Sequence, residues 1–408
     1  MEINSIYEGD NLEIMSKFPD KSIDLIYADP PFFSHKQYEV IWKDKSEIRS
    51  FEDRWEGGIE HYITWMEPRL RECHRVLKDT GSMYLHCDWH ADAHLRILMD
   101  KIFGENNFRN EIVWSYESSG LGTVRSTSYP AKHDIIFWYS KGKKCTYNPQ
   151  LRDYKPEYKA LYVNKDENGY YREKWRYRAD GTGYKVRQYM KKGVPYSDVW
   201  EIESLTGPKS ERMGYPTQKP VALLERIVAT SSNKNDIVFD PFCGCGTALV
   251  ASQKLGRRWI GIDISPTAYK LMKKRLQKEF SISAQLIKGE VDLSYVKKLQ
   301  PFEFQNWVVV DKFLGTISRT KSGDMGIDGL TPQITGGYPI QVKQSVDIGR
   351  NVIDNFETAM RRMNKKKGYV VAFSFGRGAV EEVARVKNQE GLEIILRTVQ
   401  DLLDGKIE

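Results

Sequence analysis

Ile237-Val238-Phe239-Asp240-Pro241-Phe242-Cys243-Gly244-Cys245-Gly246-Thr247 is the stretch that decides the fold. Its apolar start reads as a buried strand over 237–239, the Gly-rich turn follows, and a helix begins beyond it. Trp259-Ile260-Gly261-Ile262 reads as the next strand and ends in Asp263, 23 positions after Asp240. Strand, glycine turn, helix and strand at this spacing are the unit of a mostly parallel, doubly wound α/β sheet. The turn lacks a Lys followed by Ser or Thr, which excludes a phosphate-gripping P-loop. Backbone without Cβ lets a ligand approach, and an acid at the next strand end is where ribose hydroxyls find a paired acceptor. An adenosyl cofactor without phosphates fits these features.

Working outward, the apolar run 23–28 stops at Asp29-Pro30-Pro31-Phe32, because two prolines cannot continue a ladder. A helix near 12–18, an amphipathic stretch 62–77, a strand 82–88, a helix 91–103 and strands near Ile112 and 135–139 follow in order. Pro220 opens a helix to about residue 230, and a charged helix runs on from Asp263 to about residue 280. Ligands of open α/β sheets bind at the carboxyl ends of strands, where Asp29 to Phe32 falls. The Asp29 carboxylate and the Pro30 carbonyl can accept hydrogen bonds from an exocyclic amino group, and Phe32 can stack on the ring bearing it. Such acceptors stabilise the positive charge that develops on an amino nitrogen attacking a methyl sulfonium. No Pro-Cys pair occurs, which excludes Cys attack on a pyrimidine ring carbon. Cys243 and Cys245 lack the second Cys or His pair of a zinc site and read as small residues packed in the turn. Asp263 alone could equally cap the helix that Ser265-Pro266 opens.

The 408 residues include 62 Lys or Arg and 55 Asp or Glu, a formal charge of +7, and the length suits two or three domains. A hydrophobic content of 40% argues against long disorder. Apolar stretches such as 369–375 fall far short of the roughly 20 residues of a membrane span. The acidic start, with Glu2, Glu8 and Asp10, is unlike a signal peptide, and five Cys argue for a reducing cytosol rather than a disulfide scaffold. Residues 141–219 hold 18 Lys or Arg and 10 Asp or Glu, a net +8 that exceeds the whole chain's charge. Among them stand 13 Tyr or Trp. Cations neutralise phosphates while rings stack on bases, so nucleic acid is one reading. A solvated subdomain with a small tyrosine core is the other.

Residues 4 to about 280 resemble an amino-group DNA methyltransferase of the permuted β class. The resemblance includes order: Gly9-Asp10-Asn11-Leu12, Asp29 to Phe32, a variable region, Thr217-Gln218-Lys219-Pro220, Asp240 to Thr247, then Gly261-Ile262-Asp263. It implies a Rossmann-like domain over 1–290 that binds S-adenosylmethionine through Asp240, Phe242, Gly244, Gly246, Thr247 and Asp263. It also implies Asp10 near the adenine, and Thr217, Gln218 and Lys219 at the methionine end. Asp29, Pro30, Pro31 and Phe32 would be catalytic, double-stranded DNA the partner, and 141–216 the target recognition region. Asp at the first motif position is typical of adenine targets and Ser of cytosine targets; Phe32 stands where Tyr is commoner.

After Pro301 about 108 residues remain, enough for a second core over 300–408, and 281–301 reads as the boundary. The expected order is αββαβαβ, with extended segments flanking Thr335-Gly336-Gly337. Asp328 lies on the first segment and Gln341 and Lys343 on the second, within about 5 Å across a hairpin. A carboxylate and an amide oxygen can hold Mg²⁺, and Lys343 can neutralise a phosphate; an exposed edge strand with ordinary polar residues is the plainer reading. Phe304-Gln305, Gly323-Asp324-Met325-Gly326-Ile327-Asp328-Gly329, Ile340-Gln341-Val342-Lys343 and Gly368 to Phe375 resemble an Mrr-type restriction endonuclease of the PD-(D/E)XK fold. That resemblance implies Asp328 and Gln341 as metal ligands, Lys343 at the scissile phosphate, and Glu303 or Gln305 in place of a third acid. The run Arg361 to Lys367 fits a phosphate contact or a solvated helix end. The combined expectation is adenine-N6 methylation with Mg²⁺-dependent cleavage, against cytosine-N4 methylation with a noncatalytic DNA-binding clamp. A homodimer is left open.

Overall fold

The computed structural model describes residues 1–33, 37–41, 47–52, 58–116, 127–205, 211, 217–289, 292–299, 301–318 and 326–407. Gly323, Asp324 and Met325 of the tail motif, and 206–210 and 212–216 of the basic stretch, lie outside them. Nine strands form the main sheet, in the order Val199–Glu201, Phe108–Ser115, His133–Ser140, Leu77–Cys87, Ile23–Ala28, Ile237–Asp240, Arg258–Asp263, Ser5–Glu8 and Gln285–Lys288. Neighbours run parallel except at His133–Ser140, which is antiparallel to both strands beside it. Both faces are covered, which is why the central strands read as continuous apolar runs. Helices Gly58–Val76 and Asp92–Phe103 fill one side with Tyr62, Met66, Leu70, Leu95 and Met99. Helices Val221–Ser231, Thr247–Lys254 and Pro266–Phe280 fill the other with Leu224, Ile227, Leu249, Met272 and Leu276.

Parallel register aligns the carboxyl ends. Asp240 pairs with Gly261, and Glu8 pairs with Asp263 and Lys288, so Asp29, Asp240, Asp263 and Glu8 end four consecutive strands. Two edge strands add to the expected pattern. Val199–Glu201 lies inside the supposed recognition stretch, yet it buries Trp200 in the main core. Gln285–Lys288 lies inside the supposed boundary. Each has four residues or fewer, too short for a periodic signal.

The basic stretch forms an antiparallel sheet of Asn164–Asp166, Gly169–Tyr177 and Gly183–Tyr189. Part of the tyrosine content makes a local core, with Tyr154 and Tyr158 stacked at 5.1 Å and Arg172 lying over Tyr158 and Tyr162. Trp175 and Tyr177 remain exposed.

The tail holds a five-stranded sheet ordered Thr316–Ile317, Gly329–Leu330, Pro339–Lys343, Lys367–Ala372, Glu393–Thr398. Pro339–Lys343 is therefore interior, which overturns the edge-strand reading of Gln341 and Lys343. The first tail helix of the expected order is a short one, Pro301–Asn306, continued by a π-helical turn, Trp307–Lys312, in which the Phe313 amide reaches the Val308 carbonyl. Helix Leu293–Lys298 contributes Tyr295 and Val296 to the tail core, so the tail packs from residue 293 onward and not from 300. Ile264, next to Asp263, packs against that same core.

Candidate active site

Ile23–Ala28 delivers Asp29 to the carboxyl edge, and Pro30 and Pro31 end the strand there. The Lys219 ammonium donates to both Asp29 oxygens, at 2.9 and 2.6 Å, across 190 residues of sequence. Both side chains are largely buried, and the same ammonium lies 4.8 Å from the Phe32 ring centre. Two opposite charges sharing a site stabilise each other, whereas either alone would be an uncompensated buried charge. Tyr62 donates to the Pro31 carbonyl at 2.8 Å. Phe33, at φ 62°, takes the left-handed conformation that costs a non-glycine residue about 1 to 2 kcal/mol. Strain of this kind concentrates at functional sites.

Beneath Phe32 lies a buried polar chain. His86, fully buried, packs its ring 5.3 Å from Phe32, with Nδ1 2.8 Å from the Tyr27 hydroxyl and Nε2 3.2 Å from Asp134. Tyr116 donates to the other Asp134 oxygen. Burial raises the Asp134 carboxyl, but bonds from His86 and Tyr116 and the Lys219 charge outweigh it, holding Asp134 below its ordinary value. Sequence reading missed His86 and Asp134; the available signal was a polar residue standing beside apolar neighbours, in Met83-Tyr84-Leu85-His86-Cys87 and in Asp134-Ile135-Ile136-Phe137.

Two strands along, the glycine turn is held by its acids. The Asp240 carboxyl is buried and accepts the Phe242 amide at 3.0 Å. Burial pushes it well above the carboxylate range, against that amide. Asp263 accepts the Gly244 amide at 2.7 Å with one oxygen and the Ser265 amide at 2.8 Å with the other. Burial pushes its carboxyl up to about 6, the two amides opposing. A carboxylate has about four lone-pair sites, more than these amides occupy. Gly246 sits at φ 75°, and a Cβ there would meet Met272 at 2.8 Å, so that glycine serves both backbone and packing. Cys243 and Cys245 are buried in the turn, as small packed residues. Thr247 bonds the Lys219 carbonyl and receives the buried Arg275, so the turn is tied to the segment that clamps Asp29.

Asp10 caps helix Asn11–Met15 through the Leu12 amide and pairs with Arg69 at 2.7 Å. Arg69 stacks 3.9 Å over Trp65, whose ring lies 6.0 Å from Phe242. Asp10, Phe242, Gly244, Gly246, Thr247, Asp240 and Asp263 thus gather around one turn. Of the Thr217 to Lys219 segment, the Lys219 ammonium stands on Asp29, and Gln218 donates to the Glu211 carbonyl. The chemistry of this donor set suits an adenosyl group: lone pairs on Asp263, a glycine turn and an aromatic wall.

In the tail, Asp328 just precedes strand Gly329–Leu330, and its carboxylate accepts the Val342 amide at 2.7 Å. Register across Gly329 and Ile340 places Gln341 opposite Asp328. Gln341 is buried, and its Oε1 has no hydrogen-bond partner among the described residues. An acceptor buried without a donor costs about 1 to 3 kcal/mol, and a hard cation satisfies it. Gln305 donates to the Asp328 carbonyl at 2.9 Å, whereas Glu303 lines a cavity toward the main sheet. In the basic run, Arg361 pairs with Glu357 and Glu390, and Lys365 bonds the Gly336 carbonyl, so those two are structural.

A family model described as DNA methylase matches residues 23–274. The chain is 31% identical over 298 residues to the DNA adenine methyltransferase YhdJ of Escherichia coli K12, covering 73% of this chain and 88% of that one. It is 30% identical over 303 residues to the type II methyltransferase M.HpaI of Haemophilus parainfluenzae, covering 72% and 83%. Among solved structures, the cytosine-N4-specific PvuII DNA methyltransferase aligns over 66% of this chain and 85% of its own at 18% identity, with a TM-score of 0.43.

Proposed function

Because the chain belongs to the N6/N4 DNA methylase family, we propose that it transfers a methyl group from S-adenosylmethionine to the N6 amino group of adenine in duplex DNA. The observation that carries this reading is Asp29, clamped by Lys219 beside Phe32 at the edge of the sheet that bears the glycine turn. S-adenosylmethionine, when bound, supplies a methyl group on a positively charged sulfur. Asp263 and the glycine turn would hold its ribose side, and Asp10 with Arg69 would border the base. The target base leaves the duplex, at a cost of a few kcal/mol, and stacks on Phe32. Its amino group donates to the Asp29 carboxylate and the Pro30 carbonyl, which orients the nitrogen lone pair toward the methyl and offsets the charge that grows on nitrogen. Lys219 keeps the carboxylate from turning away. The adenine choice is supported by Asp at position 29 and by the similarity to an adenine methyltransferase.

Residues 141–216 are the proposed recognition region. Trp175 and Tyr177, exposed on one hairpin, are suited to bases, and Lys174, Arg176 and Arg178 to phosphates. The test is nucleoside analysis of plasmid DNA incubated with the protein and cofactor. N6-methyladenine is expected; N4-methylcytosine alone would move the assignment to the cytosine branch.

A second activity is proposed for the tail: Mg²⁺-dependent DNA cleavage, with Asp328 and Gln341 holding the metal and Lys343 at the phosphate. It is favoured by the unpartnered Gln341 oxygen opposite Asp328. Cleavage of unmethylated DNA should vanish in Asp328→Ala and Lys343→Ala while methyl transfer persists. DNA left intact by the wild type across Mg²⁺ and Mn²⁺ titrations would make the tail a DNA clamp instead.

A further inference from the structure

The junction between the main sheet and the tail encloses a cavity that the proposed reaction does not use. Its sheet side is lined by Glu8, Ile264, Ser265 and Lys288. Its tail side includes Tyr295, Asn306, Trp307 and Asp311. Three of these, Glu8, Ile264 and Ser265, adjoin the expected cofactor residues directly, since Glu8 pairs in register with Asp263 and the other two follow it.

Strand order supplies a direction. Asp29, Asp240, Asp263 and Glu8 end successive strands, a row of about 14 Å at about 4.8 Å per strand. With Asp29 at the methyl and Asp263 at the ribose, the residues that would meet the base are those farther along the row, at Glu8. Beyond Glu8 stands the tail. Ile264 already packs against the tail core, whose members include Tyr295 and Trp307.

The cavity has features of a ligand wall. Asn306 is 3% exposed, and its Oδ1 has no hydrogen-bond partner among the described residues. Burial pushes the Asp311 carboxyl up to about 7, with the Glu8 charge adding and Lys288, Lys270 and Lys312 opposing. Burial also raises Tyr295, helped by Glu303, Glu8, Asp10 and Asp311. Tyr295 therefore feels both the cavity acids and Asp10, the residue expected near the adenine. The wall segment Trp307–Lys312 is π-helical, a geometry frequent at functional sites. A flat base with an amino edge is the chemistry these groups suit: indole for its face, and amide and carboxyl oxygens for its N–H donors.

We propose that the tail forms the outer wall of the adenine end of the cofactor site, with Tyr295, Asn306 and Trp307 closing over the base beyond Ile264. The inference rests on the S-adenosylmethionine reading above. Binding and docking then stabilise each other, because a coupling between two sites is reciprocal. The tail is part of the methyltransferase site as well as a domain of its own.

Hydrogen exchange on the full chain tests this with three probes: S-adenosylmethionine, adenosine and methionine. The first two should slow exchange of amides 293–312 several-fold, and methionine should leave them unchanged. By calorimetry, Tyr295→Phe and Asn306→Leu should each weaken S-adenosylmethionine by about fivefold, the size of one neutral hydrogen bond. A merely structural role would instead lower the melting temperature of the cofactor-free variants at unchanged affinity, and that result overturns the proposal. Cofactor binding with no protection of 293–312 overturns it too, leaving the methyltransferase reading intact. No binding of S-adenosylmethionine by the wild type overturns both.

Discussion

The polar sites of the main sheet and of the tail sheet differ in what completes them. At the main sheet, both oxygens of Asp29 are met by Lys219, and His86 beneath Phe32 is engaged at both nitrogens. At the tail sheet, the Asp328 carboxylate accepts the Val342 amide, while the Gln341 oxygen opposite it is buried with no partner among the described residues. The first site is satisfied by the chain's own side chains and stands ready before any substrate arrives. The second leaves an acceptor wanting, the state expected where a ligand supplies the missing partner. A paired carboxylate and an unpaired buried acceptor are two kinds of polar site, and each makes its own prediction.

The largest expected effect breaks the first site. Asp29→Ala should reduce methyl transfer by about 10²- to 10³-fold or more. It should also cost about 3 to 5 kcal/mol of stability, because it leaves the Lys219 ammonium buried without its counter-charge. Adding Lys219→Met should recover most of that stability and none of the activity. Denaturant melts beside methyl-incorporation rates read both, and an undiminished melting midpoint for Asp29→Ala would show that the pair is not a closed one.

An intermediate effect sharpens the second site. Gln341→Glu places a second negative charge opposite Asp328, so the metal-free protein should lose about 1 to 3 kcal/mol. Mg²⁺ should restore that loss, and the metal midpoint for cleavage should fall below the wild-type value. Thermal melts with and without Mg²⁺ decide it; a melting temperature insensitive to the ion in both proteins would remove the metal from this site.

The smallest effect concerns Asp263, which belongs to the satisfied site yet keeps lone pairs for a ligand. Ribose hydroxyls need the ionised carboxylate, and burial pushes this group up to about 6. Cofactor affinity should therefore fall as pH drops through 6, approaching tenfold per unit, about 1.4 kcal/mol. Folding responds with the opposite sign. A carboxyl raised in the folded state binds protons more readily there, so its contribution favours the fold at low pH and fades as pH rises through about 6. Isothermal titrations from pH 5 to 8 should show the slope in the wild type and its absence in Asp263→Asn.

Much of the main site was legible because its chemistry is local. Asp29-Pro30-Pro31-Phe32 announces a strand end, and Asp240 to Thr247 announces a strand, turn and helix; both occur where expected. Val199–Glu201 and Gln285–Lys288 were not legible, since a strand of three or four residues is specified by the neighbour it pairs with and not by its own pattern. The edge-strand reading of Gln341 failed for a related reason. Whether a strand is interior depends on Lys367–Ala372 arriving from the far side, about 30 residues later.

The sequence by itself determined the alternation of strands and helices, the glycine turn, the acids at the strand ends and the net +8 of residues 141–219. These follow from backbone sterics, hydrophobic period and composition, which act over a few residues at a time. Only the tertiary structure decided that Lys219 would meet Asp29, that Arg69 would meet Asp10, that His86 would lie under Phe32, and that Ile264 would enter the tail core. Those pairings join residues from about 30 to 190 positions apart. Their partners are chosen by sheet order and by the burial of charge, which no local stretch of sequence contains.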